Sequence, residues 1–100
     1  MTARVVRHVR VRGRVQGVGF RMFVEDAAAL HGTEGWVRNR RDGSVEAVFA
    51  GAPGAVRAVV EACRRGPRGA WVGAVDESEG TREILDQRYP GQRFSVLRTE

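Results

Sequence analysis

Along the first fifteen residues valines fall mostly on odd positions, Val6 excepted, and basic side chains mostly on even ones. Val5, Val9 and Val11 share one face, and His8, Arg10, Arg12 and Arg14 share the other. A period of two predicts a strand with one side against a core, although Arg7 interrupts the apolar face near its start. At Phe20 the period changes. Phe20, Phe23, Val24, Ala27 and Leu30 follow helical spacing, and Gly32 supplies a stop. Residues 35–40 and 44–50 read as two strands, joined by Asp42-Gly43, a dipeptide suited to the positive φ of a hairpin turn. Pro53 fits the first turn of a second helix, whose stripe is Val56, Val59, Val60 and Cys63 and whose end is Gly66-Pro67. Ala70–Val75 gives another strand and Phe94–Leu97 a last one. Between them the pattern is weaker: Thr81 caps a short helical turn through Ile84 and Leu85, and Tyr89-Pro90-Gly91 breaks it.

The order is β-α-β-β-α-β with one extra C-terminal strand. Two helices on one face of a mixed, mainly antiparallel sheet make an α+β, ferredoxin-like sandwich. Residues 1–100 are expected to form a single domain, since two cores would each be too small to hold together. With 42% hydrophobic residues the chain has material for one core. Trp36, Trp71, Phe23 and Phe49 are assigned to it on the burial habits of large aromatics. Cys63, on the apolar stripe of the second helix, reads as a buried inert thiol.

Charge adds a preference for anions but no identity. The formal net charge is +5, and every basic residue among the 17 counted as Lys or Arg is arginine. Such a surface attracts nucleic acid, acidic lipid or small phosphates alike. No apolar run approaches the roughly 20 residues of a membrane span, and Met1 to Val15 has no signal-peptide core. One cysteine excludes an internal disulfide and fits a reducing, cytoplasmic setting. The two histidines have no metal-ligand spacing, so neither metal nor cofactor is expected.

The candidate chemistry lies where the first strand gives way to the first helix, at Gly13-Arg-Val-Gln-Gly-Val-Gly-Phe-Arg21. A glycine-rich turn followed by a helix start builds an anion cradle. Backbone N–H groups turn inward unobstructed by Cβ atoms, and the helix N-terminus adds unpaired donors and partial positive charge. The segment lacks the third glycine and downstream acid of a dinucleotide fingerprint, and the Lys-Ser/Thr of a Walker loop. The expected substrate-binding set is Gln16, Gly17, Val18, Gly19, Phe20 and Arg21. Gln16 enters through its backbone, with its side chain read as surface decoration. Arg21 is a cation at the unfavourable end of the helix dipole, a conflict that a bound anion removes. Its guanidinium can grip a phosphoryl group through two parallel hydrogen bonds. Asn39, the only asparagine, precedes the hairpin turn. Its amide offers an acceptor and donors, enough to hold a water in one orientation. Arg38, Arg40, Arg41, Arg64 and Arg65 read as solvated charge that draws anions inward.

Taken together, Gly13–Arg21 and the segment Gly35-Trp-Val-Arg-Asn-Arg-Arg-Asp-Gly-Ser-Val-Glu46 closely resemble the two signature segments of the acylphosphatase family, over roughly residues 5–76. The resemblance implies a metal-independent hydrolase that cleaves the carboxyl–phosphate bond of acyl phosphates. It makes Arg21 the catalytic arginine that binds the phosphate and Asn39 the catalytic residue that positions water. Expected partners are a small acyl phosphate and, as competing anions, inorganic phosphate or sulfate. The protein is taken as a cytoplasmic monomer without membrane or nucleic-acid partners. Two rivals share the element order. One is an RNA-recognition module, disfavoured because the first strand has no aromatic and residues 44–50 offer only Phe49. The other is a non-catalytic anion-binding domain, or a domain like those within larger hydrogenase-maturation enzymes.

Overall fold

The strand and helix periods translate directly into elements. The computed structural model describes residues 3–100; Met1 and Thr2, counted in the expected single domain, lie outside the described residues. In chain order the elements are β1 (Val5–Arg14), α1 (Phe20–His31), β2 (Glu34–Asn39), β3 (Val45–Gly51), α2 (Pro53–Arg65), β4 (Trp71–Glu79), α3 (Arg82–Leu85) and β5 (Phe94–Val96). The strands form one sheet in the order β4-β1-β3-β2-β5. Every pairing is antiparallel except β5 on β2, so β5 is the extra strand of the expected ferredoxin-like arrangement.

Alternation along each strand assigns side chains to two faces. Val9, Val11, Val37, Val45, Ala47 and Phe49 point to one side. There they join Phe20 and Val24 of α1 with Val56, Val59 and Cys63 of α2 in the main core. Burial pushes the Cys63 thiol up to about 12, which leaves it protonated and inert. Trp36, Val48 and Ala50 have the opposite parity and form a smaller cluster with Leu85 and Leu97. The short helix α3 covers it. Thr81 Oγ1 caps α3 by accepting from Ile84 N–H at 3.1 Å, and Trp36 Nε1–H donates to the Ile84 carbonyl at 2.7 Å.

Several expectations change. Leu30 is not core but 80% exposed. The buried seam of α1 is Phe20, Val24 and Ala28, and at about 100° per residue Leu30 lies about 120° away from its centre. Trp71 is 69% exposed as well. A register shift between Arg12 and Gly13 pairs Gly13 with Val72 and passes over Gly73. That shift lets Val72 and Val75 both pack on the main core, while Trp71 falls on the open face of an edge strand. β4 runs on to Glu79, past the expected end at Val75, because its later residues are acids matched to β1 arginines. Arg12 Nε–H meets Asp76 at 3.1 Å and Arg7 Nε–H meets Glu77 at 2.9 Å.

The remaining open face is an ion network. Glu46, only 4% exposed, lies 2.6 Å from His8 Nε2 and accepts from Arg38 Nε–H at 3.0 Å, with Arg40 at 3.4 Å. Arg38 also reaches Glu100 at 2.8 Å and sits 4.9 Å above the Trp36 ring. On the other face, Arg64 of α2 pairs with Glu61 of the same helix and with Glu77 of β4, each at 3.3 Å. Arg38, Arg40 and Arg64 are therefore built into the structure rather than merely solvated.

Candidate active site

The chain turns from β1 into α1 through residues 15–19, and two glycines make that turn possible. Gly17 and Gly19 hold φ of 74° and 79°, a region that costs an L side chain roughly 1–2 kcal/mol. Gly19 is the N-cap of α1. It brings no side-chain cap, and the first turn holds no acidic residue. The donors of that turn are thus left to water or to an anion. Arg21 follows at the second helical position, exposed, and stands apart from the ion pairs that engage Arg7, Arg10, Arg12, Arg38 and Arg40. Among the described residues it makes none.

Asn39 ends β2, half-buried, in register with Val45 of β3. The C-terminal residues brace this strand end. Glu100 N–H donates to the Asn39 carbonyl at 3.3 Å, and Arg41 N–H donates to the Glu100 carbonyl at 3.0 Å. In the hairpin, Asp42 Oδ1 accepts from Ser44 N–H at 2.9 Å and from Ser44 Oγ–H at 2.6 Å. Those bonds hold the Asp42 carboxyl below the usual carboxylate range, with Arg10 and Arg12 adding to the effect.

A cleft of about 370 Å³ joins the two segments, with Gly17, Gly19, Phe20, Arg21 and Asn39 in its wall. Val18 and Gln16, expected to serve the cradle through their backbone N–H groups, send their side chains elsewhere. Val18 packs against the main core. The Gln16 side chain, expected as surface decoration, is a tie. Its Nε2–H groups donate to the carbonyls of Arg40 at 2.7 Å and Ser44 at 2.9 Å, fastening the glycine turn to the hairpin beyond Asn39. Val15, Met22, Glu25 and Val96 complete the cleft and were not foreseen. A signal existed for two of them: Met22 and Glu25 follow Arg21 on the side of α1 away from its buried seam. Among the described residues no group of three or more His, Cys, Asp or Glu could hold a metal.

The match to known proteins follows this geometry. The Acylphosphatase family model matches residues 7–95, a stretch that holds the cradle, Arg21 and Asn39. The chain belongs to the acylphosphatase family. An acylphosphatase of Rhodopseudomonas palustris (strain BisB18) is 58% identical over 95 residues, covering 95% of this chain and 96% of that relative. Among solved structures, the acylphosphatase from Bacillus subtilis superposes with a TM-score of 0.79 at 36% identity, over 93% of this chain and 98% of its own. That from Coxiella burnetii reaches 0.81 at 32% identity, over 94% and 93%. Family membership removes the RNA-recognition rival, and the fold agrees. Phe49 is fully buried on the helix side of the sheet, and Trp36 is buried with α3, so neither offers a stacking platform.

Proposed function

We propose that this acylphosphatase holds the phosphoryl group of its substrate in the 16–21 turn and with Arg21, while Asn39 orients the attacking water. Backbone N–H groups and the guanidinium neutralise the charge spread over the phosphoryl oxygens in the transition state. The Asn39 amide holds water in line with the scissile bond. The new bond forms between water oxygen and phosphorus, the bond from phosphorus to the acyl oxygen breaks, and the carboxylate leaves with the electron pair. The water's proton passes to the phosphate. Because a carboxylate is a good leaving group, alignment and charge neutralisation suffice, and the scheme needs no protein nucleophile.

The observation that carries this reading is the cleft in which the uncapped start of α1, Arg21 and Asn39 meet. The reading extends to a single-domain monomer acting on small acyl phosphates in the cytoplasm, a reducing setting with which the one free thiol, Cys63, agrees. Among the described residues no helix is long and apolar enough to cross a membrane. The test is hydrolysis of benzoyl phosphate with and without EDTA by wild type, Arg21→Ala and Asn39→Ala. EDTA-resistant turnover that collapses in both variants supports the assignment. Full activity in either variant, or a phosphoenzyme trapped with labelled substrate, overturns it.

A further inference from the structure

The cleft is larger than its proposed phosphate chemistry requires. Gly17, Gly19, Arg21 and Asn39 account for a phosphoryl group and a water, yet the space of about 370 Å³ falls within the range of pockets that hold whole small molecules. The rest of its wall has a definite character. Val15 and Phe20 are each 1% exposed and anchored in the main core, so they form a rigid apolar floor. Val96 adds an apolar wall from β5. Met22 is a large apolar side chain left 68% exposed on the solvent side of α1, where burial in the core does not explain it. A flexible, polarizable thioether at the mouth of a cleft adapts to apolar groups of different shape. Glu25 stands one helical turn beyond Arg21 and contributes the cleft's only carboxylate.

We infer that the side of the cleft formed by Val15, Phe20, Met22, Val96 and Glu25 is the acyl subsite, and that it selects uncharged apolar acyl groups over acyl groups carrying a second negative charge. This inference rests on the assignment of Arg21 and Asn39 to the phosphate and water. A substrate whose phosphate lies against Arg21 directs its acyl chain into the remaining space, over the apolar floor and under Met22. Burial there favours each added methylene. A carboxylate on the acyl chain enters the field of Glu25 in a partly dry cleft, where like charges repel more strongly than in bulk water. Arg21 supplies attraction for the phosphate alone, so it does not compensate a second anion further along the chain.

The experiment compares kcat/KM for acetyl, butanoyl, benzoyl and succinyl phosphate in wild type, Met22→Ala and Glu25→Gln. Both positions are surface side chains, and circular dichroism checks that each variant is folded. In wild type, butanoyl exceeds acetyl phosphate by about tenfold, roughly the effect of two partly buried methylenes, and the gain is carried by KM. Met22→Ala reduces the benzoyl-to-acetyl ratio severalfold. Glu25→Gln raises the succinyl-to-butanoyl ratio by about fivefold to tenfold at low salt, and less at high salt. If wild type hydrolyses all four but neither substitution moves these ratios, the subsite is wrong and the phosphate site stands. If folded wild type hydrolyses none of them, the assignment of Arg21 and Asn39 fails and takes the subsite with it.

Discussion

Gln16 and Arg40 are joined by a hydrogen bond of 2.7 Å from the Gln16 side-chain amide to the Arg40 backbone carbonyl. The same amide donates to Ser44 at 2.9 Å, so one side chain spans the two segments between which the proposed chemistry takes place. Among the described residues it is the side-chain hydrogen bond that ties the glycine turn to the β2–β3 hairpin, beside the shared core of Val15, Val18 and Val45.

Gln16→Ala therefore affects alignment more than stability. The Arg40 and Ser44 carbonyls each keep a hairpin bond, from Gly43 N–H at 3.1 Å and Arg40 N–H at 2.8 Å respectively. The expected cost in stability is about 1–2 kcal/mol, measured by urea denaturation. The loss in kcat/KM is on the order of tenfold to a hundredfold, because a small shift between reacting groups is costly. A variant that loses stability but keeps full turnover contradicts the alignment role.

Arg21 and Asn39 are expected to separate kinetically. Arg21→Ala removes a donor to both substrate and transition state, so KM rises and kcat/KM falls by about 10²–10³-fold or more. Asn39→Ala lowers kcat by about 10²-fold with KM nearly unchanged, since only the water loses its anchor. Neither defect is one of folding for Arg21, an exposed side chain whose removal shifts stability by less than about 0.5 kcal/mol. A rise in KM alone for Asn39→Ala refutes its role.

Inorganic phosphate is a ligand of the same cradle. It acts as a competitive inhibitor, and at 100 times its Kd it stabilises the fold by about 2.7 kcal/mol, a shift in Tm on the order of 10 °C for a domain of this size. Differential scanning fluorimetry of wild type and Arg21→Ala reads this directly. Equal shifts in both proteins mean that phosphate binds elsewhere.

Acid weakens the hairpin that carries Asn39. Burial raises the Glu46 carboxyl, but hydrogen bonds from His8 and Arg38 outweigh it and leave Glu46 below its ordinary value. Asp42 is lowered as well, chiefly by its bonds from Ser44. For a carboxyl depressed in the folded state, the stabilisation is fully present above the unfolded value near 4.5 for Glu and 3.8 for Asp. It is lost as pH falls through the folded value. Urea midpoints thus hold steady from pH 7 to about 5 and decline below that. Glu46→Gln starts lower at pH 7, having lost its charge partners, and declines less steeply. An unchanged acid slope in Glu46→Gln removes Glu46 from this account.

The sequence by itself determined the element order and pointed to the cradle and the two residues proposed for chemistry. These are local matters: period two or 3.6, a glycine where φ must be positive, a turn dipeptide between apolar runs. Gly17, Gly19 and Arg21 stand out because a strand-to-helix turn leaves its donors unpaired, whereas Asn39, an ordinary hairpin-end asparagine by local chemistry, is singled out by the resemblance of its segment to the family's second signature. Only the tertiary structure decided the rest. Gln16 reads as decoration until the hairpin is brought beside it, since its partners are backbone carbonyls 24 and 28 positions away. The acids of β4 hide its second half, beyond Val75, because polarity signals a loop until the arginines of β1 lie opposite. Trp71 reads as core until a bulge at Gly73, where β4 passes the Arg12–Gly13 step of β1, turns it outward. Met22 and Glu25 are ordinary surface residues of a helix, and they line a cleft only because β5 and the end of β2 close its other side. Local conformation follows from neighbouring residues, whereas these roles depend on contacts between segments far apart in the chain.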